Sequence, residues 1–237
     1  LLNSYLTPMT DLVFETKGTL DKYMGDAIMS FWGAPIQFDD HAEKASTCAL
    51  LMLKKLKVLQ DEYAAKGLPT IDIGIGLNTG EMSVGNMGSN TVRSYTVMGD
   101  SVNLGSRLEG INKEYGTRII VSEFTQAKIA KKFVTREVDW VRVKGKAQPV
   151  RIFELIGTVA PGDLAAPADM LALIPDFEAG FRFYHERKFD EAIAAFTKAL
   201  NTKPTDECSQ LYIERCQDYL KDVPAPDWDG VYTMKTK

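Results

Sequence analysis

Apolar positions along this chain switch between two periods. Leu2, Tyr5, Leu6, Met9, Leu12 and Val13 recur at helical spacing, which predicts that the chain opens inside a helix closed at Gly18. Thr19 to Met24 and Ala27 to Trp32 are short apolar runs around Gly25-Asp26, a hairpin signal. The helical period returns over Ala42 to Tyr63. Asp39-Asp40 precede it, lysines follow later, and Gly67 and Pro69 close it, an order that matches the helix dipole. Ile71, Ile73, Ile75 and Leu77 alternate with small or polar residues, as in a strand packed on one face. Met82 to Met87 and Ser94 to Met98 read as further strands, and Asp100 or Ser101 opens a helix running to Tyr115. Ile119 to Ser122 is a predicted strand and Glu123 to Lys131 a short helix. Val138 to Val143 and Val150 to Ile156 are two more strands around Gly145. The order predicts an α+β sandwich with a mainly antiparallel sheet.

The pattern changes after residue 157. Thr158 to Pro175 carries Pro161, Gly162, Pro167 and Pro175 and reads as a linker. Residues 176–237 read as a small all-α appendage. Gly180, Ala192, Phe196, Ala199 and Pro204 fall at the offsets of the tetratricopeptide pattern, while Phe183 and Asp176 depart from it. Asp206 to Leu220 would add a third helix. A single repeat cannot bury its own apolar face, so this unit is expected to dock on the preceding domain or on a second subunit. An ordinary helical hairpin is the plainer alternative. The expected organisation is therefore a domain over 1–157, a linker over 158–175 and a helical region over 176–237.

Composition changes that picture in a few places. With 45% hydrophobic and 25% charged residues in 237, the chain is an ordinary globular sequence rather than a disordered one. The net charge of −4 hides two unlike parts: residues 1–157 carry +1 and residues 158–237 carry −5. That excludes a generally basic nucleic-acid coat but leaves room for a local cationic pocket. No apolar run approaches the ~20 residues needed to span a bilayer, and no signal peptide opens the chain. A cytoplasmic setting is the expectation. Cys48, Cys208 and Cys216 show neither CxxC nor metal spacing, which suggests reduced thiols. His41 and His185 are the only histidines, so histidine chemistry is not expected to lead. The chain starts at Leu1 in mid-pattern without Met and reads as a piece of something longer.

Candidate chemistry sits in three places. Nine of the eighteen glycines lie between Gly74 and Gly116, a density that asks for tight turns or close backbone approach. Gly74-Ile75-Gly76 is not a dinucleotide fingerprint, because the third glycine and its helix are missing. Lys22-Tyr23-Met24-Gly25-Asp26 would place a carboxylate at a hairpin tip, within reach of a hard cation. In Tyr95-Thr96-Val97-Met98-Gly99-Asp100-Ser101-Val102-Asn103-Leu104-Gly105-Ser106-Arg107, Asn103 and Arg107 are four apart and share a helix face. There the Arg107 fork could hold a phosphate. Lys144-Gly145-Lys146 sets two lysines at a turn between strands. Taken singly, these are equally a plain turn, an exposed arginine beside Glu109 and Glu114, and a solvated turn.

Taken together, in this order and spacing, they resemble the class III nucleotidyl cyclase catalytic domain over about Leu1 to Ile156. The resemblance implies a ferredoxin-like cyclase sandwich and a site between two catalytic domains arranged head to tail. By that resemblance Asp26 would be one of two metal-binding aspartates, for Mg²⁺ or Mn²⁺. Lys22 and Thr96 would read adenine, with the Val97 backbone beside it. Asn103 would orient the ribose and Arg107 would stabilise charge at the α-phosphate. Lys144, with Lys146 as a second, would hold the terminal phosphates. The implied reaction is conversion of ATP to 3′,5′-cyclic AMP and pyrophosphate in a homodimer, with a sensor or membrane region upstream and no nucleic-acid partner. A Lys donor suits adenine N1 and a Thr oxygen suits its amino group, whereas guanine reverses that edge. ATP is therefore expected over GTP. Thr96 resembles the residue of a bacterial subgroup, some of whose members respond to bicarbonate. Pro226-Asp227-Trp228-Asp229-Gly230-Val231 resembles the ending of bacterial cyclases with such an appendage. The family's first metal aspartate sits in a Phe-x-Asp-Ile motif that these residues do not contain, so the chain as written is expected not to turn over. A guanylyl cyclase, a non-catalytic nucleotide-binding module and a protein-interaction module are the alternative readings.

Overall fold

The computed structural model describes residues 1–142 and 148–233. Helix α1 (Leu2–Glu15) leads into the hairpin β1 (Thr19–Met24) and β2 (Ala27–Phe31). Helix α2 (His41–Ala65) follows, then β3 (Ile75–Leu77), the ribbon β4 (Ser83–Gly88) and β5 (Arg93–Met98), and α3 (Asp100–Tyr115). Next come β6 (Ile119–Ser122), α4 (Glu123–Ile129), β7 (Phe133–Arg142) and β8 (Val150–Thr158). The chain then runs through α5 (Ala168–His185), α6 (Phe189–Thr202), α7 (Glu207–Lys221) and β9 (Tyr232–Thr233).

The strands form one five-stranded sheet in the order β3-β6-β8-β7-β9 and two separate two-stranded ribbons. The sheet is antiparallel at its centre, where β8 lies between β6 and β7, and parallel at both edges. Its strands are covered on both faces, so β6 is apolar at consecutive positions instead of alternating. Ile119 and Val121 pack with Ala42, Ala49 and Leu50 of α2 and Ile129 of α4. Ile120 points the other way, into a core with Leu104, Leu108 and Ile111 of α3.

That second core continues without a break into the C-terminal helices. Val138, Val141, Val150 and Ile152 of the sheet share it with Leu173, Phe177, Phe196 and Tyr212. The helical appendage thus docks on the preceding domain, as its unpaired apolar face required. Gly180 is where α5 and α6 touch: a Cβ there would stand 2.8 Å from the Phe196 ring. The expected linker is shorter than its prolines suggest. Helix α5 starts at Ala168 with Pro175 inside it, so only the segment between β8 and Pro167 connects. A proline removes one helical hydrogen bond, and the burial of Leu173 and Phe177 on either side of it outweighs that loss.

Two further differences have physical reasons. The predicted strand over Ile71 to Leu77 is regular only at Ile75–Leu77, where β6 gives it a partner. Strand β7 begins at Phe133, five residues before the apolar run at Val138, because its first half pairs with the end of β8. Asp100 and Ser101 lie inside α3, and Gly99 occupies the N-cap without a side-chain hydrogen bond. All three cysteines are free and buried, and burial pushes the Cys48 thiol up to about 11, away from reactivity. Among the described residues no helix is long and apolar enough to cross a membrane.

Candidate nucleotide site

The hairpin β1–β2 stands on α1. Thr10 Oγ1 and Tyr23 Oη are 2.8 Å apart, and Trp32 Nε1 donates to the Thr16 carbonyl at 3.2 Å. The pairing of β1 with β2 slips between Leu20, opposite Ser30, and Lys22, opposite Met29, so Asp21 is an extra residue in a bulge. In a regular strand Asp21 and Lys22 would point to opposite faces. The bulge re-aims them. Both now meet Thr96 of β5: Lys22 Nζ donates to Thr96 Oγ1 at 3.3 Å, and Thr96 Oγ1 donates to Asp21 Oδ2 at 3.0 Å. Lys22 Nζ also lies 3.5 Å from Asp21 Oδ2. The Lys22 side chain is half exposed, while that of Asp21 is 1% exposed. Its second oxygen, Oδ1, is buried without a partner among the described residues.

The structure therefore joins Lys22 and Thr96, residues 74 apart in sequence. Val97 is buried beside Thr96 and pairs with Val84. Beyond Gly99 the chain turns into α3, which carries Asn103 and Arg107 one turn apart. Asn103 is exposed and Arg107 is partly so. The helix that carries them is fixed at backbone distance from β3. A Cβ on Gly76 would lie 2.3 Å from Glu109 N and Gly105 O, so only glycine permits this approach. Asn112 Nδ2 donates to the Ile75 carbonyl at 3.1 Å, and Asn78 Nδ2 to the Ser101 carbonyl at 2.8 Å. These contacts seat the helix of Arg107 on a rigid support.

Asp26 lies at the tip of the hairpin, exposed, in the turn between β1 and β2. Its charge reaches Tyr5 on α1, whose hydroxyl is held above its ordinary pKa first by burial and then by Asp26. Among the described residues no three His, Cys, Asp or Glu side chains gather to hold a metal ion. A single exposed carboxylate does not fit a two-ion site. Lys144 and Lys146 lie outside the described residues.

The sequence reading missed Asp21. Its signal, a carboxylate next to Lys22, is hidden by strand alternation and becomes visible only through the bulge.

Comparison with known proteins gives the family. Residues 1–157 match the model of the adenylate and guanylate cyclase catalytic domain. The chain belongs to that family. It is 31% identical over 224 residues to the terminal-differentiation specific adenylate cyclase of Dictyostelium discoideum, covering 93% of this chain and 10% of that protein. The crystal structure of the adenylyl cyclase CyaB from P. aeruginosa superimposes with a TM-score of 0.62 at 34% identity, covering 69% of this chain and 83% of that one. The crystal structure of the guanylyl cyclase Cya2 gives a TM-score of 0.62 at 34% identity, covering 70% and 83%. The chain spans 10% to 31% of the length of the curated relatives it matches.

Proposed function

We propose that this chain is the catalytic domain of an adenylyl cyclase that acts as a homodimer on ATP. Overall likeness does not choose the base, since an adenylyl and a guanylyl cyclase match equally well. The observation that carries the choice is the direct Lys22–Thr96 contact. An ammonium only donates, so Lys22 serves the adenine N1 acceptor, and the Thr96 oxygen accepts from the adenine amino group. Guanine presents its ring N–H and carbonyl in the reversed order and leaves both groups mismatched.

In the reaction the ribose 3′-hydroxyl oxygen attacks the α-phosphorus and pyrophosphate leaves. Asn103 orients the ribose, and the guanidinium of Arg107 holds the charge that develops on the α-phosphate oxygens. Lys144, with Lys146, holds the terminal phosphates. In a complete family site divalent ions would lower the cost of charge on the attacking and leaving oxygens. Asp26, opposite the Asn103 and Arg107 of a second copy, is the residue of this chain that would hold them, together with the aspartate of the Phe-x-Asp-Ile motif. Tyr23, Met24 and Met98 are exposed apolar side chains on the two ribbons, which suits a surface that a second copy covers. The region 176–237 is read as a tetratricopeptide-like appendage, and its helices α5 to α7 share a core with the sheet. The match to the Dictyostelium cyclase over 224 residues supports reading it as a companion of the catalytic domain.

A complementation assay tests the reading. The chain is given a leading strand that bears the Phe-x-Asp-Ile motif. Asp26→Ala and Arg107→Ala chains are each expected to form no cyclic AMP, and their mixture to regain it, because one mixed site contains both native residues. A mixture as inactive as its components would overturn the shared site.

A further inference from the structure

Purine preference needs more than a hydroxyl at position 96, because a threonine O–H can donate as readily as it accepts. Left to rotate, Thr96 would serve the guanine carbonyl as well as the adenine amino group. Three observations remove that freedom. Lys22 has three N–H groups and no lone pair, so at 3.3 Å it makes Thr96 Oγ1 an acceptor. Thr96 has one hydrogen, and it goes to Asp21 Oδ2 at 3.0 Å. Asp21 is held there by the bulge that turns residues 21 and 22 to the same partner.

We propose that Asp21 is a specificity-determining positioning residue: it fixes the Thr96 hydroxyl as an acceptor and thereby sets the preference for adenine over guanine nucleotides. This rests on the reading that Lys22 and Thr96 face the base. Asp21 is nearly fully enclosed, so it acts through Thr96 and not by touching the purine. Its cost is visible. A buried carboxylate oxygen with no partner among the described residues is expensive, and nothing in the hairpin pairing requires a carboxylate at this point. With the Thr96 hydrogen committed, the pair offers the base one N–H from Lys22 and one lone pair from Thr96. That is the complement of the adenine edge and the opposite of the guanine edge.

The experiment is binding of 3′-deoxy-ATP and 3′-deoxy-GTP, which cannot cyclise, to the full chain in Mg²⁺. The intact chain is expected to prefer the adenine analogue. Asp21→Ala removes the acceptor, frees the Thr96 hydrogen and is expected to shrink that preference about tenfold, the scale of one mismatched buried hydrogen bond. Asp21→Asn, whose amide oxygen can still accept the Thr96 hydrogen, is expected to retain most of it. In a Thr96→Val background the Asp21→Ala change is expected to move the ratio no further, a result that mere loosening of the hairpin would not give. An adenine preference that survives Asp21→Ala overturns the role of Asp21. No preference in the intact chain overturns instead the reading of Lys22 and Thr96 on which it rests. A measurement on the unaltered chain is independent of whether the variants fold. There a 6-methoxypurine nucleotide, which offers an acceptor at position 6, must bind more weakly than the 6-unsubstituted purine nucleotide. Equal or tighter binding of the methoxy analogue contradicts a locked Thr96.

Discussion

The hairpin and ribbon that carry Lys22, Asp26 and Thr96 contrast with the seam between β7 and the C-terminal helices. The first region is two two-stranded elements outside the main sheet, with many side chains exposed around the buried Asp21 carboxylate, Thr96 and Val97. The second is closed by buried charge. Arg136 is 1% exposed, donates to Glu154 at 3.0 Å and to Asp206 at 2.9 Å, and lies 4.4 Å over the Phe177 ring. Asp139 accepts from Tyr115 at 2.5 Å and from Arg215 at 2.7 Å, and Tyr212 donates to the Val138 carbonyl at 2.7 Å. Tyr115 ends α3, the helix that begins near Asn103 and Arg107. The appendage therefore clamps the far end of the helix that carries the candidate catalytic side chains. Buried charge is concentrated at the seam, away from the residues proposed to read the base.

The comparison breaks first at the seam. Asp206→Ala leaves the Arg136 guanidinium half paired in the core and uncaps α7, where Asp206 Oδ2 also accepts from the Ser209 amide at 3.0 Å. A loss of about 3–5 kcal/mol is expected in urea unfolding. Arg107→Ala is expected to act in the opposite sense: a fall of about 10²–10³ in turnover of an active chain, with a melting temperature affected far less than by Asp206→Ala. If Asp206→Ala left stability intact, or Arg107→Ala unfolded the chain, the two regions would not divide the work in this way. Gly180→Val drives a side chain against Phe196 and is expected to cost about 1–3 kcal/mol in the same urea experiment.

The smallest effect is one of pH. His185 packs on Trp140 with ring centres 4.4 Å apart, and its Nε2 is buried without a partner among the described residues. Burial lowers its pKa in the folded state, against the opposing pull of Asp139, Glu137 and Asp229. The unfolded chain then binds the proton more readily. Stability is expected to fall as pH drops below about 6.5, and the loss levels off once pH passes below the folded value. His41 is shifted in the same direction by burial and Lys128, so His185→Gln should remove part of the slope and not all of it. A melting temperature with the same slope in His185→Gln would place the effect elsewhere.

Much of this was legible in the residues. Periodicity located α1, the β1–β2 hairpin and α3, and the spacing of Lys22, Gly25, Asp26, Thr96, Asn103 and Arg107 pointed to the family. What stayed hidden has a common cause. Asp21, Arg136 and Asp139 are charged residues in strands, and alternation assigns such positions to solvent. Asp21 is turned inward by a bulge, and a second register shift lies between Glu137 and Asp139. Arg136 is covered because Phe177 and Asp206, both distant in sequence, pack over it and pair with it. Bulges and long-range ion pairs leave no local period, so the inner supports of the site escape a reading that finds its outer residues.

The most direct test is the product formed from ATP and GTP, supplied side by side to the chain carrying the Phe-x-Asp-Ile strand, in Mg²⁺ or Mn²⁺. Cyclic AMP well in excess of cyclic GMP, lost in Lys22→Ala and in Arg107→Ala, is the predicted result. Equal amounts of both products, or cyclic GMP in excess, would contradict the assignment of the Lys22–Thr96 pair to adenine.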